Sequence, residues 1–194
     1  MIAVLLSGAF ALAIALLATT LFIRFLVRKQ YGQFIRQDGP TAHYTKRGTP
    51  TMGGVVIIAA TLLGWAGSSL VTGNVPSASA LLLLFLMTGL GFVGFLDDYI
   101  KISRQRSLGL RARWKVVGQG LVGVTFAVLA LQFPSAQFRT PASTRVSFIR
   151  DTSFDLAAWG VTLGLVLFVL WANFLITAWS NAVNLTDGLD GLAT

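Results

Sequence analysis

Cysteine and glutamate are both missing from these 194 residues, histidine occurs once, and only 11% of the chain is charged. Without cysteine there is no disulfide framework, no thiol nucleophile and no thiolate metal site. A single histidine, His43, cannot build a histidine-based metal centre without partners and reads as a solvated loop residue. A soluble domain carries charge on about a quarter of its residues. With 55% hydrophobic residues and a mean hydropathy of +0.74, this composition belongs to a membrane protein.

The charge that remains is unevenly placed. All seven acids are aspartates, and four fall in two tight places, Asp97–Asp98 and Asp187 with Asp190. The net charge is +8, but twelve of the fifteen basic residues lie in two stretches, 24–47 and 101–115, between apolar runs. That is the positive-inside pattern of a membrane protein and not the basic face of a nucleic-acid binder.

Five apolar runs are long enough to be spans, at about 2–23, 52–71, 80–96, 116–133 and 156–179. Lipid cannot satisfy exposed backbone groups, so each is expected to be a helix and the fold to be all-α, polytopic and a single integral membrane domain. The first run lacks the basic n-region of a signal peptide and is followed by Arg24, Arg28 and Lys29, so it reads as a retained span. Charge placement puts the N-terminus outside and the loops at about 24–51 and 97–115 in the cytoplasm. Alternation in "TRVSFIR" (144–150) predicts a short hairpin strand between spans four and five. Several of the five tryptophans (65, 114, 159, 171, 179) sit near span ends, as interfacial anchors do.

This topology brings three motifs to one membrane surface: "KRGTPTMGG" (46–54), "FLDDYIK" (95–101) and "NAVNLTDGLDG" (181–191). In the last, Asn181, Asn184, Asp187 and Asp190 recur every third residue, which fans them across one side of an α-helix or aligns them in a 3₁₀ segment. Gly188 and Gly191 loosen the helix end and let a ligand approach the backbone. One of these asparagines alone would do no more than cap or cross-link helices; four polar residues with two acids at a span end point to function. Asp97 and Asp98 repel one another, and both oppose the negative end of the helix dipole. A divalent cation or nearby lysines would relieve this, and Mg²⁺ suits one or two carboxylates shared with substrate phosphates. In the first motif Pro50 fixes a turn, Thr49 and Thr51 and the free amides of a helix start can take an anion, and Lys46 and Arg47 supply charge. Acids and bases at one surface suggest Mg²⁺-assisted chemistry on phosphates. A small transporter or channel subunit is the competing class, using the aspartates as an ion path. No span carries a mid-membrane charge, which speaks against it. A purely structural membrane protein leaves the three-residue spacing unexplained.

"GTPTMGG", "GFLDDYIK", "GLRARWK" and "NAVNLTDGLDGLA", in this order and at these span ends, closely resemble the phospho-N-acetylmuramoyl-pentapeptide transferases, within the polyprenyl-phosphate N-acetylhexosamine-1-phosphate transferase superfamily. The resemblance runs along essentially the whole chain. It implies transfer of phospho-MurNAc-pentapeptide from UDP-MurNAc-pentapeptide to undecaprenyl phosphate, giving lipid I and UMP with Mg²⁺ as cofactor. This is the first membrane step of peptidoglycan synthesis, at the cytoplasmic face of the bacterial inner membrane. It implies catalytic roles for Asp97, Asp98 and Asp187, with Asp98 and Asp187 toward Mg²⁺. It places Asn184 and Asp187 toward the nucleotide and Mg²⁺, Asn181 among the substrate-binding residues, Gly188, Leu189 and Asp190 at the uracil, Lys46 and Thr51 along the nucleoside and phosphates, and Lys101 toward phosphates, with Arg113 and Lys115 as weaker candidates. A homodimer is also implied. The family has about ten spans, and its third catalytic aspartate and histidine-rich loop have no counterpart here. The expectation is therefore an N-terminal half, with little activity on its own.

Overall fold

The computed structural model describes residues 1–32, 49–106, 108–134, 140–147 and 150–186. Five α-helices account for most of them: α1 (Ile2–Arg28), α2 (Gly54–Thr72), α3 (Ala78–Ser103), α4 (Ala112–Ala130) and α5 (Val161–Thr186). Between α4 and α5 lie two short strands, β1 (Arg145–Ser147) and β2 (Asp151–Asp155), and a 3₁₀ turn over Leu156–Trp159. The strands pair antiparallel, and β1 lies within the segment whose alternation predicts a strand. Among the described residues, α1, α2, α3 and residues Val161–Val183 of α5 are long and apolar enough to cross a membrane. Helix α4 is not in that set. Arg113 and Lys115 occupy its first turn, and its buried stripe is Gln119, Gly123, Ala127 and Ala130.

The chain forms two compact units, one of residues 1–76 and 87–115, the other of residues 77–86 and 116–194. In the first, α1 packs against α2 through small residues. The buried positions of α2 are Val56, Ala60, Gly64 and Ser68, one every fourth residue. A Cβ on Gly64 would lie 2.6 Å from the Ala11 backbone nitrogen, so only glycine permits this approach. Ser68 then donates its hydroxyl to the Ala3 carbonyl at 2.6 Å. Spacing of this kind is how helices associate in lipid, where apolar surface gives no driving force between them. Gly91 on α3 faces the end of the Ile58 side chain on α2.

Two helices of this unit end in the same device. The Tyr31 amide reaches back to the Leu26 carbonyl and Gln30 to Val27; the Arg106 amide reaches Lys101 and Gln105 reaches Ile102. These are Schellman turns, each with a glutamine in the left-handed position that glycine normally fills (φ 57° at Gln30, 47° at Gln105).

The second unit is built around Ala127, Leu156 and Phe168. Gly123 of α4 faces the Asn173 side chain of α5, and Gly164 of α5 faces Ala157. The fifth helix starts at Val161, five residues later than hydropathy places it. The 3₁₀ turn is capped by Asp155, whose carboxylate accepts from the Ala157 amide at 2.8 Å, and Gly160 adopts φ 117°. At its other end α5 continues past residue 179 to Thr186, so Asn181 and Asn184 stand on α-helix.

Candidate functional site

The last two turns of α3 carry Asp97, Asp98 and Lys101. Helical spacing places residues three and four apart on one face, and the Lys101 Nζ accordingly lies 2.7 Å from Asp97 Oδ2 and 2.9 Å from Asp98 Oδ1. One ammonium thus bridges two carboxylates that would otherwise repel, which answers the electrostatic problem of an acid pair at a helix C-terminus.

The two acids are held differently. Asp97 also accepts the Leu110 amide on Oδ1 at 2.8 Å, so both its oxygens are engaged, and its side chain is only 13% exposed. Gly109 makes the approach possible, since a Cβ there would lie 2.6 Å from the Asp97 carbonyl oxygen and collide with the carboxylate. Asp98 is 31% exposed. Its second oxygen takes only a long hydrogen bond, 3.3 Å, from the Thr51 hydroxyl, beyond the usual O–H···O range of about 2.5–3.0 Å. Asp98 Oδ2 is therefore the carboxylate oxygen that an incoming cation can claim at least cost, whereas both oxygens of Asp97 already have partners.

The Thr51 contact ties the 46–54 motif to the acid pair. Met52, next to it, has φ 71°. A left-handed backbone at a non-glycine residue is strained and is kept only where the surroundings demand it. The α2 helix starts directly afterwards, with amides 55 and 56 already bonded to the Met52 and Gly53 carbonyls.

Thr51, Asp97, Asp98 and Lys101 are thus brought together. Asn181 lies in the second unit, on α5, where its amide donates to the Thr177 carbonyl at 2.8 Å. Asn184 is helical. Lys46, Asp187, Gly188, Leu189 and Asp190 lie outside the described residues, as does His43. No group of three histidine, cysteine or acidic side chains suited to a metal occurs among the described residues. Two carboxylates with one freer oxygen fit a Mg²⁺ that takes its remaining ligands from water, phosphates and other carboxylates.

Sequence reasoning misses one contributor to this site and one buried polar contact within the second unit. The Leu110 amide is backbone, so residue identity gives no signal apart from the glycine before it. Gln119 is buried and donates to Ser180 Oγ at 2.9 Å, directly before Asn181, while its own Oε1 has no partner among the described residues. A lone glutamine in a glycine-rich apolar helix was the available signal.

A family model described as glycosyl transferase family 4 matches residues 79–194. Signature 1 of phospho-N-acetylmuramoyl-pentapeptide-transferase matches residues 46–58. A protein of that name from Beutenbergia cavernae is 75% identical over the whole chain, which covers 54% of it. Its namesake from Kineococcus radiotolerans is 64% identical over 98% of the chain and 53% of its own length, and that from Streptomyces avermitilis is 57% identical over 98% of the chain and 52% of its own length. The chain thus spans about half the length of the curated relatives it matches.

Proposed function

The chain belongs to glycosyl transferase family 4, on its phospho-N-acetylmuramoyl-pentapeptide-transferase branch, and from that premise we propose that it supplies part of the active site of a lipid I-forming enzyme. The reaction moves phospho-MurNAc-pentapeptide from its UDP conjugate to undecaprenyl phosphate and releases UMP. The observation that carries this reading is the Thr51–Asp98 contact, which joins the signature-bearing loop to the acid pair with Lys101 between the carboxylates.

One phosphoanhydride replaces another, so the protein's task is positioning and charge neutralisation. The attacking lipid phosphate is already largely ionised at neutral pH and needs no strong base. Asp97, with both oxygens engaged, fits a positioning role: it fixes Lys101 and the Leu110 loop. Lys101 carries the positive charge nearest the pair and can turn toward a phosphate when a second cation relieves it. Asp98, with Asp187 from the third motif, would hold Mg²⁺, which when bound neutralises charge between carboxylates and phosphates. Lys46, Thr51, Asn181, Asn184, Gly188, Leu189 and Asp190 are assigned to the nucleotide and its phosphates. The basic loops support a cytoplasmic active face in the inner membrane, where the soluble nucleotide and the lipid can meet.

The test uses a chain of the relatives' length that carries residues 1–194 as they stand. UMP release is assayed in membranes with UDP-MurNAc-pentapeptide and undecaprenyl phosphate. Asp98→Asn is expected to lose at least about 100-fold in turnover, the scale for removing one transition-state charge stabiliser, with membrane insertion intact. Unchanged turnover overturns the assignment.

A further inference from the structure

Beyond the acid pair, the turn that follows α3 folds into a cavity of about 300 Å³, lined by Ile100, Leu110 and Trp114 and by the arginines Arg104, Arg106 and Arg111. All three arginines are exposed. Among the described residues none of them pairs with a carboxylate, and the two described acids at this end, Asp97 and Asp98, are taken by Lys101. A basic loop that merely follows the topology rule can scatter its charges in water. Here like charges are held around one small space by covalent and hydrogen-bonded structure. The Schellman turn fixes Arg106 through its amide to the Lys101 carbonyl at 3.0 Å. The first turn of α4 fixes Arg111, whose carbonyl accepts from the Trp114 amide at 2.9 Å. A fourth guanidinium, Arg113, stacks over the Trp114 ring at 5.8 Å.

Guanidiniums gathered in a concavity with no carboxylate partner among the described residues select phosphate, which their planar fork matches. The positive end of the 19-residue α4 adds to the same field. The other part of the lining is aliphatic and indole and lies where a spanning helix ends, at headgroup depth. A soluble anion has no use for that apolar wall; a lipid has. We propose that this cavity binds the phosphate of an anionic lipid headgroup. Basic pockets beside spanning helices take headgroups of this chemistry. The cavity is separate from the acid pair but adjoins it, since Leu110 lines the cavity and its amide holds Asp97. Occupancy therefore steadies the loop that positions an acid of the candidate site.

The experiment places the full chain in phosphatidylcholine nanodiscs with rising fractions of phosphatidylglycerol and follows Trp114 emission, with Trp114→Phe giving the contribution of the other tryptophans. A saturable change is expected. In the triple variant R104Q/R106Q/R111Q the half-saturating fraction should rise at least ten-fold. R24Q/R28Q/K29Q, which removes as much charge from the other basic stretch, should respond as the parent does. Circular dichroism checks that each variant keeps its helices. If the triple variant does not insert, R111Q alone should shift half-saturation at least three-fold. An unshifted response in the cavity variants overturns the proposal, as does an equal shift in the control, which would mean surface charge alone. Full saturation by inorganic phosphate in pure phosphatidylcholine also overturns it, in favour of a soluble-anion site.

Discussion

The Leu110 amide donates to Asp97 Oδ1 at 2.8 Å, across thirteen residues of chain. That bond turns a basic loop into a wall of the candidate site, and it depends on the residue before it having no side chain. Gly109→Ala would drive a Cβ into the Asp97 carboxylate and carbonyl. Overpacking of this kind costs about 1–3 kcal/mol. Gly120→Ala is the control: a Cβ there meets nothing within 4 Å, and alanine in a helix is favoured over glycine by about 0.5–1 kcal/mol. Thermal unfolding in detergent should move down for the first and slightly up for the second. Equal shifts would mean the Gly109 contact has no energetic weight.

Lys101 is the internal counter-ion of the acid pair, so its loss should create a demand for another cation. Lys101→Gln leaves Asp97 and Asp98 adjacent and uncompensated. The pair is partly exposed, so solvent screening limits the stability loss to about 1 kcal/mol. Millimolar Mg²⁺ should restore part of it in Lys101→Gln and none in the double variant K101Q/D98N. The check is the melting temperature against Mg²⁺ concentration. A Mg²⁺ response that is the same in both variants would separate the ion from Asp98.

Much of this site is legible in the sequence because helical spacing is rigid. Asp97, Asp98 and Lys101 differ by three and four positions, so any helix through 95–101 places them on one face. The sequence reading assigns Lys101 to phosphates, and the same spacing also makes it the bridge between the acids. The Thr51–Asp98 contact is legible only as a shared membrane surface, because which loop residue reaches the acid depends on the strained turn at Met52. The Leu110 bond is not legible, since a backbone donor leaves no mark in residue identity. Hydropathy places the start of α5 too early because Leu156–Trp159 is as apolar as the helix it precedes; the break comes from the Asp155 cap and Gly160, which are polar and conformational signals. The α1–α2 seam was there to be read, as Ala60, Gly64 and Ser68 at intervals of four.

The hairpin between α4 and α5 should be acid-sensitive. Asp155 Oδ1 accepts from the Thr144 hydroxyl at 2.7 Å and from the Ala157 amide at 2.8 Å, and Arg145 lies beside the other oxygen at 3.8 Å. These partners, the Thr144 hydroxyl foremost, hold the carboxyl below its usual range. A carboxyl depressed in the folded state contributes stability above its unfolded value, about 4, and that stability is lost as pH falls through the folded value. Hydrogen exchange at β1 and the 3₁₀ turn should therefore quicken below about pH 4. Asp155→Asn should flatten the dependence. A parent whose exchange protection is unchanged at pH 3 would contradict the role of the cap.

Glutamine at the left-handed positions 30 and 105 makes a last, opposite prediction, that a substitution stabilises. An L-residue in this conformation costs about 1–2 kcal/mol, which glycine avoids. Part of the gain is returned because glycine also frees the unfolded chain. Gln105→Gly should therefore raise the melting temperature modestly, and Gln105→Val, branched at Cβ, should lower it. Because the Schellman turn at Gln105 also sets where Arg106 stands, the two substitutions should differ in lipid response too. Glycine keeps the Arg106 amide on the Lys101 carbonyl and leaves half-saturation by phosphatidylglycerol unchanged. Valine forces the turn open and raises it. If both variants melt with the parent, the turn at 105 is not under the strain its φ of 47° implies.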